Sequence, residues 1–566
     1  MTYRAPLADF RFLLDHILAF TAVTATDRFA DATPETVDAI LTEAARLCET
    51  TLAPLNRMGD KYPARLENGV VRTSPGFAEG FRAIAQGGWI GMAASPDHGG
   101  MGLPMTLTTC VGDMMGSACL ALQLNPLMTQ GQIEALEHHA SDAIKALYIP
   151  KLISGDWNGT MNLTEPQAGS DVGALRTKAE PNPDGSFAIT GQKIFITWAD
   201  NDFTANTCHL VLARLPDAAP GTKGISLFMV PKFIPDAAGN PGPRNTLNVV
   251  SLEHKLGLHG SPTAVMQYDA ATGWLVGQPH KGMAAMFTMM NNARLGVGMQ
   301  GVSVAEAAFQ HALSYAMDRK QGRTPQGASA IIDHADVRRM LAEMKAETYA
   351  ARAIGLACAI AIDLARATRD PTHQARAALL TPIAKAYGTD TGHRVAQLGI
   401  QVHGGIGFIE ETGAAQFARD VRVTQIYEGT NGIQAMDLVG RKMMDNGEAA
   451  FRLFDEMQAA AEAARADLPD LATAVWTATE ALREATETLL ALAMNDRFAG
   501  SVPYLAAFAR VLGCHYHLKS ALADPAREPL ARFAIRRLLP EHAALLAQAR
   551  EGADGLYALT PAALAR

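Results

Sequence analysis

The spacing of apolar positions changes twice along the chain. Helical spacing prevails at first, as in residues 35–46. Beyond Asn158, short runs rich in β-branched and aromatic residues, such as residues 225–230, are separated by Gly, Pro, Asn and Asp. Helical spacing then returns and continues to the end. The pattern predicts an N-terminal helical domain at 1–158, a small antiparallel β domain at 159–276, a helical bundle at 277–445 and an additional helical domain at 446–566.

Long helices are predicted in the third domain. Residues 337–367 run without a proline, Asp370-Pro371 interrupts the pattern, and another helix follows through Val395. Long helices joined by short loops are typical of a bundle. Residues 114–133 carry no formal charge, but Gln, Asn and Pro interrupt them, which disfavours a membrane span. We interpret them as a buried helix pair or a pocket wall. The predicted fold is mostly α with a central β domain and no membrane segment.

Size, charge and cysteine content narrow the class of protein. A chain of 566 residues is too long for one core, so several domains are expected. A formal net charge of -8 disfavours a nucleic-acid partner, which requires a basic face. The six cysteines form no CxxC pair, so we predict neither a zinc site nor any other metal site, and a reducing cytoplasmic location. The N-terminus lacks the basic and uninterrupted apolar regions of a signal peptide.

The segment at residues 425–434 carries the strongest catalytic candidate. Glu428 stands between the aromatic Tyr427 and Gly429. A carboxylate against apolar walls loses hydration, and its pKa rises toward the range of a general base. Glycine lets the backbone approach a ligand closely. By itself, this pattern also fits an ordinary helix terminus on the surface.

Two further segments suggest a flavin site at the β domain. Residues 161–171 combine the hydroxyls of Thr164 and Ser170 with Gly169 at the domain entry. The pyrimidine edge of a flavin needs such donors, because the reduced ring concentrates negative charge there. Taken alone, the segment is equally consistent with a polar interdomain loop. Residues 192–197 place Phe195 and Thr197 in a strand pattern, and a plain core strand is the alternative there.

These strings together resemble the acyl-CoA dehydrogenase family over about residues 40–445. The matching motifs are TEPxAGSD at 164–171, the segment ending in Thr197, QVHGGIGF at 401–408 and IYEGT at 426–430. The resemblance implies that family's fold, with an antiparallel β-barrel domain and a C-terminal four-helix bundle. It also implies FAD as cofactor, an acyl-CoA substrate, an electron-transfer flavoprotein as electron acceptor, and a homodimer or larger homo-oligomer.

The resemblance implies a role for individual residues. Glu428 removes the α-proton of the thioester while the β-hydride passes to FAD. The implied cofactor-binding residues are Met161, Leu163, Thr164, Gly169, Ser170, Phe195, Thr197, Arg319, Gln401, Gly404, Gly405, Thr430 and Gly432. The implied substrate-binding residues are Ser170, Asn291, Arg294, Glu428 and Gly429.

The sequence departs from the family pattern at several of these positions. Phe195 stands where the family usually has Trp, so it keeps the stacking surface without the N–H donor. Some members carry the catalytic glutamate at the site of Ala293, which leaves Glu428 as the sole candidate base here. Gly432 lacks the Glu or Gln side chain of many members. Gln321-Gly322 replaces a family motif with Phe, which puts contacts by Gln321 in doubt.

The two ends of the chain suggest a subgroup. The opening YRAPLADFRFLL and the helical tail resemble the subgroup that includes bacterial 3-methylthiopropionyl-CoA dehydrogenase. This implies conversion of 3-methylthiopropionyl-CoA to methylthioacryloyl-CoA. The alternatives are a dehydrogenase of medium- or long-chain fatty acyl-CoA, an acyl-CoA oxidase, a DNA-associated flavoprotein, which the acidic charge disfavours, and a flavin monooxygenase, whose members are expected to lack the IYEGT glutamate.

Overall fold

The computed structural model describes residues 3–566, with the side chains of residues 291 and 292 excepted. The N-terminal region is mainly helical. Its helices are α1 (Leu7–Phe12), α2 (Thr21–Thr24), α3 (Pro34–Leu47), α4 (Ala53–Lys61), α5 (Phe77–Gln86), α6 (Met105–His139) and α7 (Asp142–Ile153). Between α4 and α5, the strands β1 (Arg65–Glu67) and β2 (Val70–Arg72) form a hairpin. The predicted N-terminal helical domain thus also contains a short hairpin, because Asn68-Gly69, at φ 51° and 75°, forms a tight turn that suits paired strands.

Helix α6 contains the uncharged stretch for which the sequence predicts a buried helix pair or a pocket wall. Cys119 has non-helical dihedral angles, φ -158° and ψ 89°, so α6 consists of two helices across a kink. Nearly all residues on both sides of the kink are buried. The helix begins against α9 (Ala335–Thr368), where the Asp363 carboxylate accepts hydrogen bonds from the Met105 and Thr106 backbone N–H groups at 2.7 and 2.8 Å.

The central domain is a β-barrel. Its strands are β3 (Trp157–Asn162), β4 (Lys178–Pro181), β5 (Phe187–Thr197), β6 (Asn206–Arg214), β7 (Ile225–Pro231), β8 (Phe233–Pro235), β9 (Pro241–Arg244), β10 (Leu247–Leu252) and β11 (Thr263–Val276). The ring runs β11–β5–β4–β6–β7 and closes because β7 pairs with both β6 and β11. Its interior forms a core separate from the helical core.

Two pairings correct the prediction of a purely antiparallel β domain. Strand β3 pairs with β6 in parallel, and β4 meets β6 in parallel at one pair of residues. The chain reaches β6 from β3 through a long connection that contains two other strands, and such a connection permits parallel pairing. Strand β3 begins at Trp157, before the predicted domain boundary at 159.

The bundle follows the barrel. Its helices are α8 (Gly282–Asp318), α9, α10 (Pro371–His403), α11 (Ala414–Val421) and α12 (Asn431–Gly440). Asp370 caps α10 by accepting a hydrogen bond from the Thr372 backbone N–H at 2.8 Å, which explains the break between α9 and α10. Helices α6 and α9 are long and apolar enough to cross a bilayer, but 89% and 83% of their most apolar windows are buried inside the protein.

The last region is helical throughout. Its helices are α13 (Glu448–Ala463), α14 (Pro469–Ala491), α15 (Met494–Ala499), α16 (Ser501–Ala523), α17 (Glu528–Phe533), α18 (Glu541–Ala549), α19 (Asp554–Tyr557) and α20 (Pro561–Leu564). Arg510 of α16 pairs with the buried Glu347 of α9. Asp9, near the N-terminus, pairs with Lys345 of α9 at 2.6 Å and with Arg527 at 3.1 Å. Both ends of the chain therefore meet on α9.

Helices α8 and α10 pack backbone against backbone. A Cβ at Gly301 would lie 2.1 Å from the Gly388 carbonyl oxygen, and one at Gly388 would lie 2.3 Å from the Gly298 carbonyl oxygen. One turn farther, a Cβ at Gly392 would lie 2.5 Å from the Gly301 carbonyl oxygen. Only glycine permits this approach, so these positions set the distance between the two helices.

Replacing Gly301 with Ala should destabilise the protein. Alanine favours a helix by about 1 kcal/mol over glycine, but here the added methyl group forces two backbones apart, and such overpacking costs about 1–3 kcal/mol. We expect a lower melting temperature in calorimetry. Gly555→Ala is the matched control, because a Cβ at Gly555 meets nothing within 4 Å. An equal or higher melting temperature for Gly301→Ala would contradict the close contact of α8 and α10.

Candidate functional site

The segment that carries Glu428 is a turn in which two residues have positive φ. Glu428 has φ 55° and Gly429 has φ 85°, after which α12 begins. The Gln434 side-chain amide donates to the carbonyl oxygens of both residues, at 3.2 and 3.3 Å. Thr430 caps α12 by accepting from the Ile433 backbone N–H at 3.3 Å. A positive φ is uncommon for glutamate, and such conformations concentrate at functional sites.

The surroundings of Glu428 adjust its protonation. Glu428 is half-buried as a residue. Burial raises the pKa of its carboxyl to about 7, although the charges of Arg294 and Lys385 act in the opposite direction. Arg294 is 6% exposed and lies 3.8 Å from the Asp437 carboxylate, and its Nε has no hydrogen-bond partner in the part of the chain that the structure describes. The carboxyl of Glu428 therefore titrates near neutral pH, which suits a general base.

The predicted flavin loop is attached to strand β5. The Ile194 backbone N–H donates to the Thr164 carbonyl at 2.9 Å, and the buried Lys193 Nζ donates to the Leu163 carbonyl at 3.0 Å. Lys193 also pairs with the buried Glu165 at 2.8 Å. Met161 lies on β3, and the exposed Gly169 and Ser170 lie in the loop beyond Glu165.

Glu165 organises the rest of this loop. Its carboxylate accepts from the backbone N–H groups of Arg176 and Thr177 at 2.7 and 3.0 Å, and from the Thr177 hydroxyl at 2.6 Å. Burial by itself raises the pKa of Glu165, but Lys193 and these hydrogen bonds lower it to about 2. The carboxylate is therefore ionised at neutral pH and holds the loop that follows it.

Strand β5 ends in groups suited to a flavin. Phe195 has φ 62° and keeps 59% of its surface exposed, although it is a large aromatic residue. No hydrogen bond from another residue engages the hydroxyls of Thr164 or Thr197 within the described chain. An open aromatic face beside free hydroxyls fits the apolar ring and the polar edge of an isoalloxazine.

Helix α6 connects this strand end with the Glu428 turn. The Trp198 indole N–H donates to the Ala121 carbonyl at 3.1 Å. Two residues farther, Gln123 accepts from the Gln300 side-chain amide at 3.2 Å, and Gln300 in turn accepts from the Tyr427 hydroxyl. Thr197 and Glu428 adjoin Trp198 and Tyr427, so both are linked to the part of α6 that directly follows the kink at Cys119.

The predicted site residues fall into two groups. One lies around the Glu428 turn and the end of β5, and the other lies at the C-terminal ends of α8 and α10. Arg319 follows α8, and Gln401, Gly404 and Gly405 end α10. The Tyr315 and His403 rings stack at 4.4 Å and join these two helix ends. At 1.5 Å per residue, Arg319 lies about 37 Å along α8 from Arg294. One cofactor cannot touch both groups within a single chain.

A cavity of about 610 Å³ opens beside Arg294. This is the size of a ligand site. Arg366, Arg369 and Lys442 line it together with Arg294. Of the two acidic groups in the wall, Glu134 pairs with Arg366, and Asp370 caps α10. The wall therefore carries a surplus of positive charge that suits an anionic ligand.

Sequence reasoning missed several residues of this site. Lys193 and Glu165 lie inside recognised motifs, but their role as a buried ion pair was missed. That burial becomes visible only in the packed structure. Lys385, Arg369 and Lys442 lie outside every motif. Asn291, a predicted substrate contact, is outside the residues whose side chains are described. No group of metal-ligating side chains occurs among the described residues.

Family models match nearly the whole chain. The N-terminal, middle and C-terminal domains of acyl-CoA dehydrogenase match residues 34–156, 160–271 and 280–444. A further model, acetyl-CoA dehydrogenase C-terminal like, matches residues 453–560.

Individual relatives match over most of their length. The chain is 46% identical over 519 residues to 3-methylmercaptopropionyl-CoA dehydrogenase of Ruegeria pomeroyi, covering 89% of this chain and 88% of that one. It is 35% identical to a butyryl-CoA dehydrogenase of Syntrophomonas wolfei, covering 79% and 77%. Among solved structures, Caenorhabditis elegans ACDH-11 in complex with C11-CoA superposes with a TM-score of 0.77 at 19% identity, covering 95% and 92%.

Replacing Lys193 with Met should destabilise the protein in a pH-dependent manner. The change leaves the Glu165 carboxylate buried without its cation, which costs about 3–5 kcal/mol at pH 7. In the native protein, the lowered pKa of Glu165 contributes stability above pH 4.5, its ordinary pKa, and this is lost as the pH falls toward 2. In the variant the carboxyl protonates more readily, so the deficit should shrink between pH 7 and 4. Urea unfolding at a series of pH values measures this difference in the free energy of unfolding between the native protein and the variant.

The exposed pair of Arg465 and Glu462 provides the control for this comparison. Its side chains are 43% and 64% exposed, so Arg465→Met should change the free energy of unfolding little at any pH. A Lys193→Met deficit that stays constant with pH would show that lost packing, rather than a stranded carboxylate, causes the destabilisation.

Proposed function

The chain belongs to the acyl-CoA dehydrogenase family, whose members act on acyl-CoAs with FAD, and we propose that it oxidises 3-methylthiopropionyl-CoA to methylthioacryloyl-CoA. The observation that carries the catalytic part is the Glu428 turn. A carboxyl whose pKa is raised to about 7 by burial stands in a strained turn beside Arg294. The relative from Ruegeria pomeroyi supports the choice of acyl group.

Glu428 acts as the base in the proposed mechanism. Its ionised carboxylate takes a proton from the substrate α-carbon, and its backbone N–H donates to the thioester carbonyl, where negative charge develops. Arg294 and Lys385 keep part of the carboxylate population ionised at neutral pH. FAD would supply the acceptor for the hydride from the β-carbon. Thr164, Phe195, Thr197 and Thr430 are the residues of this chain that we assign to its flavin end.

The cavity beside Arg294 is assigned to the phosphate-bearing end of coenzyme A. Its wall carries Arg369 and Lys442, and guanidinium and ammonium groups pair well with phosphate oxygens. Arg294 lines the cavity, and its charge also reaches Glu428. One acyl-CoA can therefore place its thioester at the base and its phosphates in the cavity.

The second group of residues supports an oligomer. Because Arg319, Gly404 and Gly405 lie far from the Glu428 turn, we propose that they hold the FAD of a second subunit. We further propose that an electron-transfer flavoprotein accepts the electrons, and that the protein works in the cytoplasm. All six cysteines are free and buried, which suits a reducing compartment.

Anaerobic titration of the FAD-bound protein tests the proposal. We expect 3-methylthiopropionyl-CoA to bleach the flavin absorbance faster than butyryl-, octanoyl- or palmitoyl-CoA. Faster bleaching by another thioester would replace the proposed acyl group but keep the reaction. No bleaching by any of the four would overturn the reaction itself.

Replacing Glu428 with Gln should abolish flavin reduction and leave FAD bound, because the amide cannot accept the proton. In the native protein, the rate of flavin reduction should rise with pH with a midpoint near the pKa of Glu428, about 7, since only the ionised carboxylate is a base. Stopped-flow reduction from pH 5.5 to 9 measures both. The exposed Glu411→Gln variant is the control. Reduction by Glu428→Gln at a near-native rate would contradict the assignment.

Replacing Lys442 or Arg369 with Met should raise KM for the acyl-CoA about tenfold with little change in kcat, because a phosphate contact far from the reacting carbons stabilises ground state and transition state equally. The matching acyl-pantetheine, which lacks the phosphates, should react equally well with native and variant proteins. A variant that impairs both substrates alike would show that the cavity does not hold the phosphates.

A further inference from the structure

Lys385 is a buried cation without an ion-pair partner. It is 0% exposed on α10, and no carboxylate lies within ion-pairing distance of its Nζ in the described part of the chain. Its Nζ donates to the Asn431 side-chain carbonyl at 2.9 Å. Burying an ammonium group is costly unless other groups stabilise the charge. A functional role for Lys385 at the neighbouring turn explains its burial better than a contribution to folding stability does.

Asn431 places Lys385 in contact with the Glu428 turn. Asn431 is the first residue of α12, three positions after Glu428. Its side-chain N–H₂ donates to the Asp390 carboxylate at 2.7 Å, so α10 holds the amide through both of its ends. Gln434 holds the carbonyl groups of Glu428 and Gly429 from the other side. The strained turn is thus fixed on both flanks.

Titratable groups from three helices lie around Glu428 and the two cations beside it. Arg294 belongs to α8, Lys385 and Asp390 to α10, and the remaining groups to the turn and to α12 and its end. These remaining groups are Tyr427, Asp437, Arg441 and Lys442. Arg294 and Lys385 are the two charges among the described residues that lower the pKa of Glu428, and both favour its ionised form. Arg294 also lines the cavity and lies beside Asp437, whereas Lys385 interacts electrostatically with Asp390, Glu428 and Arg294 itself.

We propose that Lys385 is a positioning residue for the base: through Asn431 it fixes the turn that carries Glu428, and its charge favours the ionised carboxylate. The inference rests on the proposed role of Glu428. Lys385 acts without touching the substrate, and it couples the bundle helix α10 to the reacting proton. Burial lowers the pKa of Lys385 to about 8, although Asp390 and Glu428 oppose this, so the group is charged at neutral pH.

Three variants separate the charge from the hydrogen bond. Lys385→Met removes both, Lys385→Gln keeps a donor for Asn431, and Lys385→Arg keeps the charge. Stopped-flow flavin reduction by saturating acyl-CoA is measured from pH 5.5 to 9.5. Without the cation, Glu428 binds its proton more tightly, so the midpoint should move up by about one pH unit in Met and Gln. At pH 7 the rate should fall about fivefold from this shift alone. Arg should retain the native midpoint.

A purely structural role of Lys385 predicts a different result in these experiments. Variants that reduce the flavin more slowly but with the native pH midpoint would overturn the charge effect, as would failure of both Met and Gln to fold with FAD. A Gln rate equal to that of Met at high pH would overturn the positioning effect through Asn431.

Failure of the proposed function is detected separately. If native protein is not reduced by any acyl-CoA, the function fails, yet the pKa of Glu428 remains measurable. Infrared titration follows the band of the protonated carboxyl, which is assigned with Glu428→Gln. In Lys385→Met without substrate, the pKa obtained from this band should be about one unit higher than in the native protein. An unchanged pKa of Glu428 in this titration would overturn the inference.

Discussion

The close contact between α8 and α10 is the constraint on which the site depends. Glycines on both helices let the backbones touch, with separations that no side chain would tolerate. This contact brings Arg294 of α8 and Lys385 of α10 to the same turn, although they are far apart in sequence. The positions of both charges relative to one another therefore depend on the spacing of these two helices. Helix packing thus determines the chemistry of a carboxyl group that belongs to neither helix.

The proposed base needs two opposing effects on its pKa that only a folded interior supplies together. Burial raises the pKa of Glu428, and the two cations limit that rise so that part of the population stays ionised near neutral pH. Arg294 lines the neighbouring cavity as well, so the proposed phosphate site and the proposed base share one positive field. The strained backbone at Glu428 persists because Gln434 and Asn431 hold the turn from both sides.

The N-terminal segment and the fourth domain stabilise the helix bundle through contacts outside the site. The fourth domain attaches to the bundle through Arg510, whose guanidinium meets Glu347 on α9, while the Glu347 carboxylate also accepts from the Tyr387 hydroxyl of α10. The N-terminal segment binds the same helix through Asp9 and Lys345. These contacts enclose α9 on two sides. They explain why the two ends of the chain, which carry no catalytic motif, belong to one structural unit with the bundle.

The sequence by itself determined the order of domains, the long helices, the family and the position of the proposed base, because periodicity and contiguous motifs are local properties. It predicted the helix pair in α6 but not the β1–β2 hairpin, whose Asn68-Gly69 signal is short, nor the parallel pairing of β3 with β6, which depends on a distant partner. Only the tertiary structure revealed Lys193, Lys385 and the basic cavity. Their roles arise from burial and from neighbours far along the chain, and the energy of a charge depends on that surrounding medium rather than on adjacent residues.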